Sequence, residues 1–141
     1  MKKSVIVLAM VAAAAAAGYW FGKTTTVRAA ENRVFEIRTY TAPEGKLDDL
    51  HARFRNHTVD IFKKHGMESI AYFAPMDDPL KKNTLIYILA FPSRDAAKKS
   101  WAAFASDPEW QKVAKESEAN GKILSKIESV YAEPADYSPL K

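Results

Sequence analysis

Trp101-Ala102-Ala103-Phe104-Ala105-Ser106-Asp107-Pro108-Glu109-Trp110 decides the architecture of this chain. Asp107 has the side chain of an N-cap, Pro108 suits the first helical position, and Glu109 complements the positive end of a helix dipole. One helix therefore ends near Ser106 and another begins, with a large aromatic residue on each side of the joint. Ser93 caps the first helix, whose inner stripe is Ala97, Trp101 and Phe104. In the second, Trp110, Val113, Ala114 and Ser117 recur at helical spacing until Asn120-Gly121 ends it.

Working outward, Val34 to Thr41 reads as a strand with Phe35, Ile37 and Thr39 on one face and Val34, Glu36, Arg38 and Tyr40 on the other. Pro43 and Gly45 turn the chain. Lys46 to His65 reads as a helix with Leu47, Leu50, Phe54, Thr58, Ile61 and Phe62 on one stripe, and Gly66 stops it. Met67 to Ala74 and Thr84 to Phe91 alternate as strands. The second is apolar on both faces, as a central strand is. Ile123 to Ala132 is the last strand.

The order β-α-β-β-α(α)-β is an α+β arrangement: one antiparallel sheet with its helices on a single face. The other face needs a cover. On this reading it carries Tyr40, Tyr72 and either Tyr87 or Ile88. An exposed patch of that kind is sticky, and a second copy of the same sheet is the simplest cover, so a homodimer with sheets packed face to face is expected.

Residues 1–30 precede this domain, which spans 31–141. Met1-Lys2-Lys3 is basic, and Val5 to Ala17 is an apolar run of the length of a signal-peptide core. Small residues around Ala29 permit cleavage there. The rival reading is a retained membrane anchor over residues 5–22, which carry no charge and end in Tyr19-Trp20-Phe21. Both place the domain outside the cytoplasm, periplasmic or otherwise extracytoplasmic, with membrane contact only through an uncleaved leader.

The formal net charge of +4 resides entirely in the leader (Lys2, Lys3, Lys23, Arg28), so the acidic and basic residues of the domain balance. Nucleic-acid binding therefore lacks its electrostatic support. With no cysteine, thiol catalysis, zinc–thiolate sites and iron–sulfur clusters are excluded.

Phe35-Glu36-Ile37-Arg38-Thr39-Tyr40, Gly45-Lys46-Leu47, Phe54-Arg55-Asn56-His57-Thr58 and Lys64-His65-Gly66-Met67 resemble the NIPSNAP family. So do Leu89-Ala90-Phe91-Pro92-Ser93-Arg94, Trp101-Ala102-Ala103-Phe104, Asp107-Pro108-Glu109-Trp110 and Glu116-Ser117-Glu118-Ala119-Asn120-Gly121. The resemblance covers about residues 34–138. It implies a ferredoxin-like half-barrel that pairs into a dimeric α/β-barrel. Related barrels include cofactor-free monooxygenases and haem-binding enzymes, an analogy of fold alone.

Candidate ligand-binding residues are Arg38, Tyr40, Tyr72, His57 and Trp101. Arg38 in mid-strand is costly to bury unpaired. It either forms an ion pair with Glu36, Glu128 or a partner-chain carboxylate, or holds an anionic or carbonyl group of a small apolar or aromatic ligand between Tyr40 and Tyr72. His57 matches the family's Phe-x-x-His-Thr element. It is either a structural hydrogen-bonding residue or a general base at a pocket mouth, the one catalytic candidate. Trp101, Phe104 and Trp110 are explained as core by their spacing, although an indole N–H can line a pocket. His51, His57 and His65 lack the spacing of a metal site. No Gly-rich phosphate loop, Ser-His-Asp order or HExxH motif occurs, and no cofactor is expected. Three functions remain: a dimeric small-ligand-binding or interaction module, a cofactor-free oxygenase or isomerase acting on an aromatic or quinone-like compound, and haem binding, which needs an axial histidine in the cavity.

Overall fold

The computed structural model describes residues 33–141. The readings of the leader and its boundary with the domain fall outside them. Strands β1 (Val34–Thr41), β2 (Glu68–Phe73), β3 (Thr84–Phe91) and β4 (Lys126–Ala132) form one antiparallel sheet in the order β2-β3-β1-β4. Between β1 and β2 run α1 (Leu47–Arg53), a π-helical turn (Phe54–Thr58) and α2 (Val59–Lys64). Between β3 and β4 run α3 (Arg94–Ser106) and α4 (Pro108–Ser117).

The α3–α4 joint forms as its residues dictate. Ser93 accepts from the Ala96 amide at 3.1 Å, and Asp107 accepts from the Glu109 amide at 2.8 Å. Asp107 does more than cap. Its buried carboxylate also takes His65 Nε2 at 2.6 Å and Lys64 Nζ at 2.8 Å, tying the end of α2 to the start of α4. These hydrogen bonds from Lys64 and His65 hold the Asp107 carboxyl well below the usual carboxylate range.

The expected helix over residues 46–65 is present but not α-helical throughout. Thr58 Oγ1 donates to the Arg53 carbonyl at 3.2 Å, within the π turn. The widened turn preserves the inner stripe, since Leu50, Phe54, Thr58, Ile61 and Phe62 are all buried. The last strand begins at Lys126 rather than Ile123, and Ile123 is a fully buried loop residue.

The two sheet faces are the reverse of the sequence expectation. Tyr40 and Tyr87 are buried against the helices, and Tyr72 packs beside them. Register partners Arg38 and Tyr87, and Glu36 and Leu89, share that helix-covered face. The face without helices carries Ile37, Phe73 and Val130, which are 38%, 50% and 62% exposed, together with Ile88. Alternation fixes which residues travel together, but with apolar residues on both faces it does not say which set the helices cover. The charged pair in β1 then misleads, because it is buried together. The C-terminal tail partly shields the open face, and a cavity of about 380 Å³ lies between the tail and Phe35, Ile37 and Ile88.

Candidate functional site

Register builds a polar row across all four strands on the helix side: Tyr72 opposite Tyr87, Tyr87 opposite Arg38, and Arg38 opposite Ser129. Glu36 lies two residues along β1, so its side chain shares the face. Its buried carboxylate is fully engaged. Arg38 Nη1 donates to Oε1 at 2.6 Å, Ser129 Oγ to Oε1 at 2.6 Å, and the Trp101 indole N–H to Oε2 at 2.5 Å. The Arg38 guanidinium also lies 4.2 Å from the centroid of the Trp101 ring, and its Nη2 donates to the Tyr40 hydroxyl at 3.2 Å. Glu36 is thus the partner of Arg38. Glu128 lies on the opposite face and pairs with Lys126 at 2.9 Å.

Burial opposes the charge on Arg38, but Tyr40, Tyr87 and Glu36 outweigh it and raise the pKa above the ordinary guanidinium value. Burial holds the Tyr87 hydroxyl well above the ordinary phenol range, so it remains a proton donor. The neighbouring Tyr40 hydroxyl adds to that shift but stands outside hydrogen-bonding geometry, so the Tyr87 hydroxyl has no well-formed hydrogen bond, and neither has Arg38 Nε. These two orphaned donors sit on directly opposed residues of β1 and β3.

The helices leave the β4 edge of this face uncovered. Ile127 and Ser129 project from β4 on the helix side and are exposed, whereas Tyr131 is half covered by Arg94, whose guanidinium lies 3.5 Å from its ring centroid. Burial raises the Tyr131 pKa, and Glu36 adds to the effect.

Of the sequence candidates, Arg38, Tyr40 and Trp101 meet here. Tyr72 borders them, stacked on Tyr87 at 5.7 Å, with its hydroxyl 2.6 Å from Ser69 Oγ. Trp101 is both core and site: its ring packs on Phe62 and Phe104 while its N–H reaches Glu36. His57 is not part of the cluster. It is exposed and lines a separate groove between α1 and α4 with Arg53, Asn56 and Ser117. His51 lines a third pocket of about 270 Å³ with Phe54, Tyr72 and Leu85, and His65 is held by Asp107. None of the three histidines joins the Arg38 cluster as a haem axial ligand would have to. Among the described residues no three His, Asp or Glu side chains converge to hold a metal ion.

Sequence reasoning does not single out Tyr87, Ser129, Tyr131 or Arg53 as site residues. Alternation along β4 placed Ser129 and Tyr131 on one face. Arg53 stood at helical spacing between Leu50 and Phe54 on the inner stripe, an unusual place for a charge and therefore a readable signal.

Solved structures share this frame. A NIPSNAP family protein of unknown function from Agrobacterium tumefaciens is 26% identical, with a TM-score of 0.69 over 79% of this chain and 96% of its own. An uncharacterised NIPSNAP-like domain protein from Burkholderia xenovorans is 18% identical, with a TM-score of 0.67 over 77% of this chain and 90% of its own. SnoaB, a cofactor-independent oxygenase from Streptomyces nogalater, is 16% identical, with a TM-score of 0.51 over 77% of this chain and 98% of its own. At such identity the last two establish likeness of fold alone. No curated protein matches the sequence. The NIPSNAP family model matches residues 35–139, nearly the whole described domain, and the chain belongs to the NIPSNAP family.

Proposed function

We propose that this NIPSNAP domain binds a small, largely apolar or aromatic molecule through a neutral hydrogen-bond acceptor, such as a ketone or quinone oxygen, received beside Arg38 and Tyr87. The observation that carries the reading is the pair of orphaned donors, Arg38 Nε and the Tyr87 hydroxyl. Each costs about 1–3 kcal/mol while unpaired inside the protein, and an acceptor oxygen recovers that. The charge of Arg38 is already met by Glu36 at 2.6 Å, so the favoured partner is an acceptor without a full charge. Tyr40, Tyr72 and Trp101 supply aromatic walls.

The geometry favours binding over turnover. An oxygenase or isomerase of this kind needs a base near the substrate. Glu36 accepts three hydrogen bonds and is unsuited to that role, while His57 lies in another groove. The oxygenase reading therefore rests on the fold likeness to SnoaB alone.

The domain acts outside the cytoplasm as a homodimer, in the same proposal. The apolar leader supports export, and the exposed Ile37, Phe73 and Val130 support pairing through the open sheet face. Native mass spectrometry of protein recovered from its own cell envelope tests all three parts together. The expected result is a dimer carrying a neutral small molecule, with an N-terminus that reports whether the leader is cut. A bare monomer overturns the reading.

A further inference from the structure

A second buried arginine lies on the other side of the aromatic core, and its surroundings differ from those of Arg38. Arg53, at the end of α1, is 5% exposed. Its Nη1 reaches Ser117 Oγ at 3.3 Å, and the nearest carboxylate, Glu118, stands 3.7 Å away and is itself partly exposed. Nε has no partner, and the guanidinium lies 5.2 Å from the centroid of the Trp110 ring. Burial dominates here and pulls the Arg53 pKa down, because Glu118 and the distant tyrosines Tyr40 and Tyr87 do not make up the lost hydration. A buried cation is thus left without a tight counter-charge.

Arg53 lines a groove of about 290 Å³ between α1 and α4. Asn56 and His57, in the π turn that follows α1, line the same groove, and Asn120 faces them from beyond α4. Two carboxylates share the groove wall. Asp49 is answered by Lys46 at 3.0 Å, and Glu116 is solvent-exposed with Lys112 at 3.9 Å. Neither neutralises Arg53.

We infer that this groove is a binding site, separate from the Arg38 cluster, for the anionic group of a small molecule, a carboxylate or a phosphate. The anion pairs with the Arg53 guanidinium, and Asn56 and His57 donate hydrogen bonds to it from the rim. The inference does not depend on the function proposed for the Arg38 cluster.

The test is an NMR titration of the purified protein with sodium benzoate in one arm and inorganic phosphate in the other, reading the Trp110 indole N–H. Tetramethylammonium serves as the control of opposite charge. A saturable shift with an anion, absent with the cation, is expected, and the arm that binds more tightly identifies the class. Because Arg53→Met alters a buried position, Asn56→Ala and His57→Ala are measured as well. Both positions are exposed, so melting temperature stays unchanged while binding weakens by about tenfold in the double variant. No saturable shift with either anion, or shifts unaltered in the double variant, overturns the inference.

Discussion

Arg38 and Arg53 both hold guanidinium groups largely withdrawn from water, with side chains 13% and 4% exposed, yet the protein treats them in opposite ways. Arg38 lies on a strand, where register delivers Glu36, Tyr40 and Ser129 to the same face within hydrogen-bonding reach. Its charge is answered internally and its pKa rises. Arg53 lies at the end of a helix, against α4, where Ser117 at 3.3 Å and Glu118 at 3.7 Å are poor substitutes for a carboxylate in contact. Its pKa falls. Burial therefore does not define what an arginine is for. The balance of its partners does: a neutralised guanidinium presents a hydrogen-bond donor, and an under-neutralised one presents a charge.

Removing partners separates the two cases. Glu36→Ala strands Arg38 in the interior and also leaves the Trp101 N–H without its acceptor. Urea unfolding is expected to show a loss of about 3–5 kcal/mol. A loss below about 1 kcal/mol would mean that Arg38 is hydrated and the pair is ornamental. Tyr87→Phe deletes one orphaned donor without changing packing volume, so it is expected to stabilise the free protein by about 1 kcal/mol. Destabilisation of that size would show that the hydroxyl has a bridging partner, such as a buried water. Arg53→Met keeps a long apolar stem against Trp110 and removes a poorly compensated charge. Its expected cost is no more than about 1 kcal/mol, because no buried carboxylate is left behind. Glu118→Gln is the mildest change, within about 0.5 kcal/mol, since the ion pair is long and half in water. If it matches Glu36→Ala, the contrast between the two arginines collapses.

Much of this arrangement was written in local chemistry. The Asp107-Pro108 restart, the Ser93 cap and the inner stripe from Leu50 to Phe62 depend on neighbours in sequence, and all form as read. Three things depend on distant partners and were not legible. The choice of covered face turned on whether Glu36 and Arg38 satisfy each other, which requires Trp101 and Ser129 to arrive from α3 and β4. A mid-strand arginine and a histidine on the edge of a helix stripe read as parts of one pocket, yet the sheet and the helix pair place Arg38 and His57 at separate sites. Arg53 was hidden by the opposite error, since a stripe read only for apolar residues passes over the charge within it.

The two tryptophans flanking the α3–α4 joint stand beside the two arginines, Trp101 at Arg38 and Trp110 at Arg53, and serve as paired reporters. The most direct measurement is a single NMR experiment that follows both indole N–H resonances during titration with naphthoquinone and then with sodium benzoate. The account predicts that the neutral quinone moves Trp101 and spares Trp110, and that the carboxylate moves Trp110 and spares Trp101. Benzoate shifting Trp101 in preference to Trp110, or neither probe producing a saturable change, would contradict it.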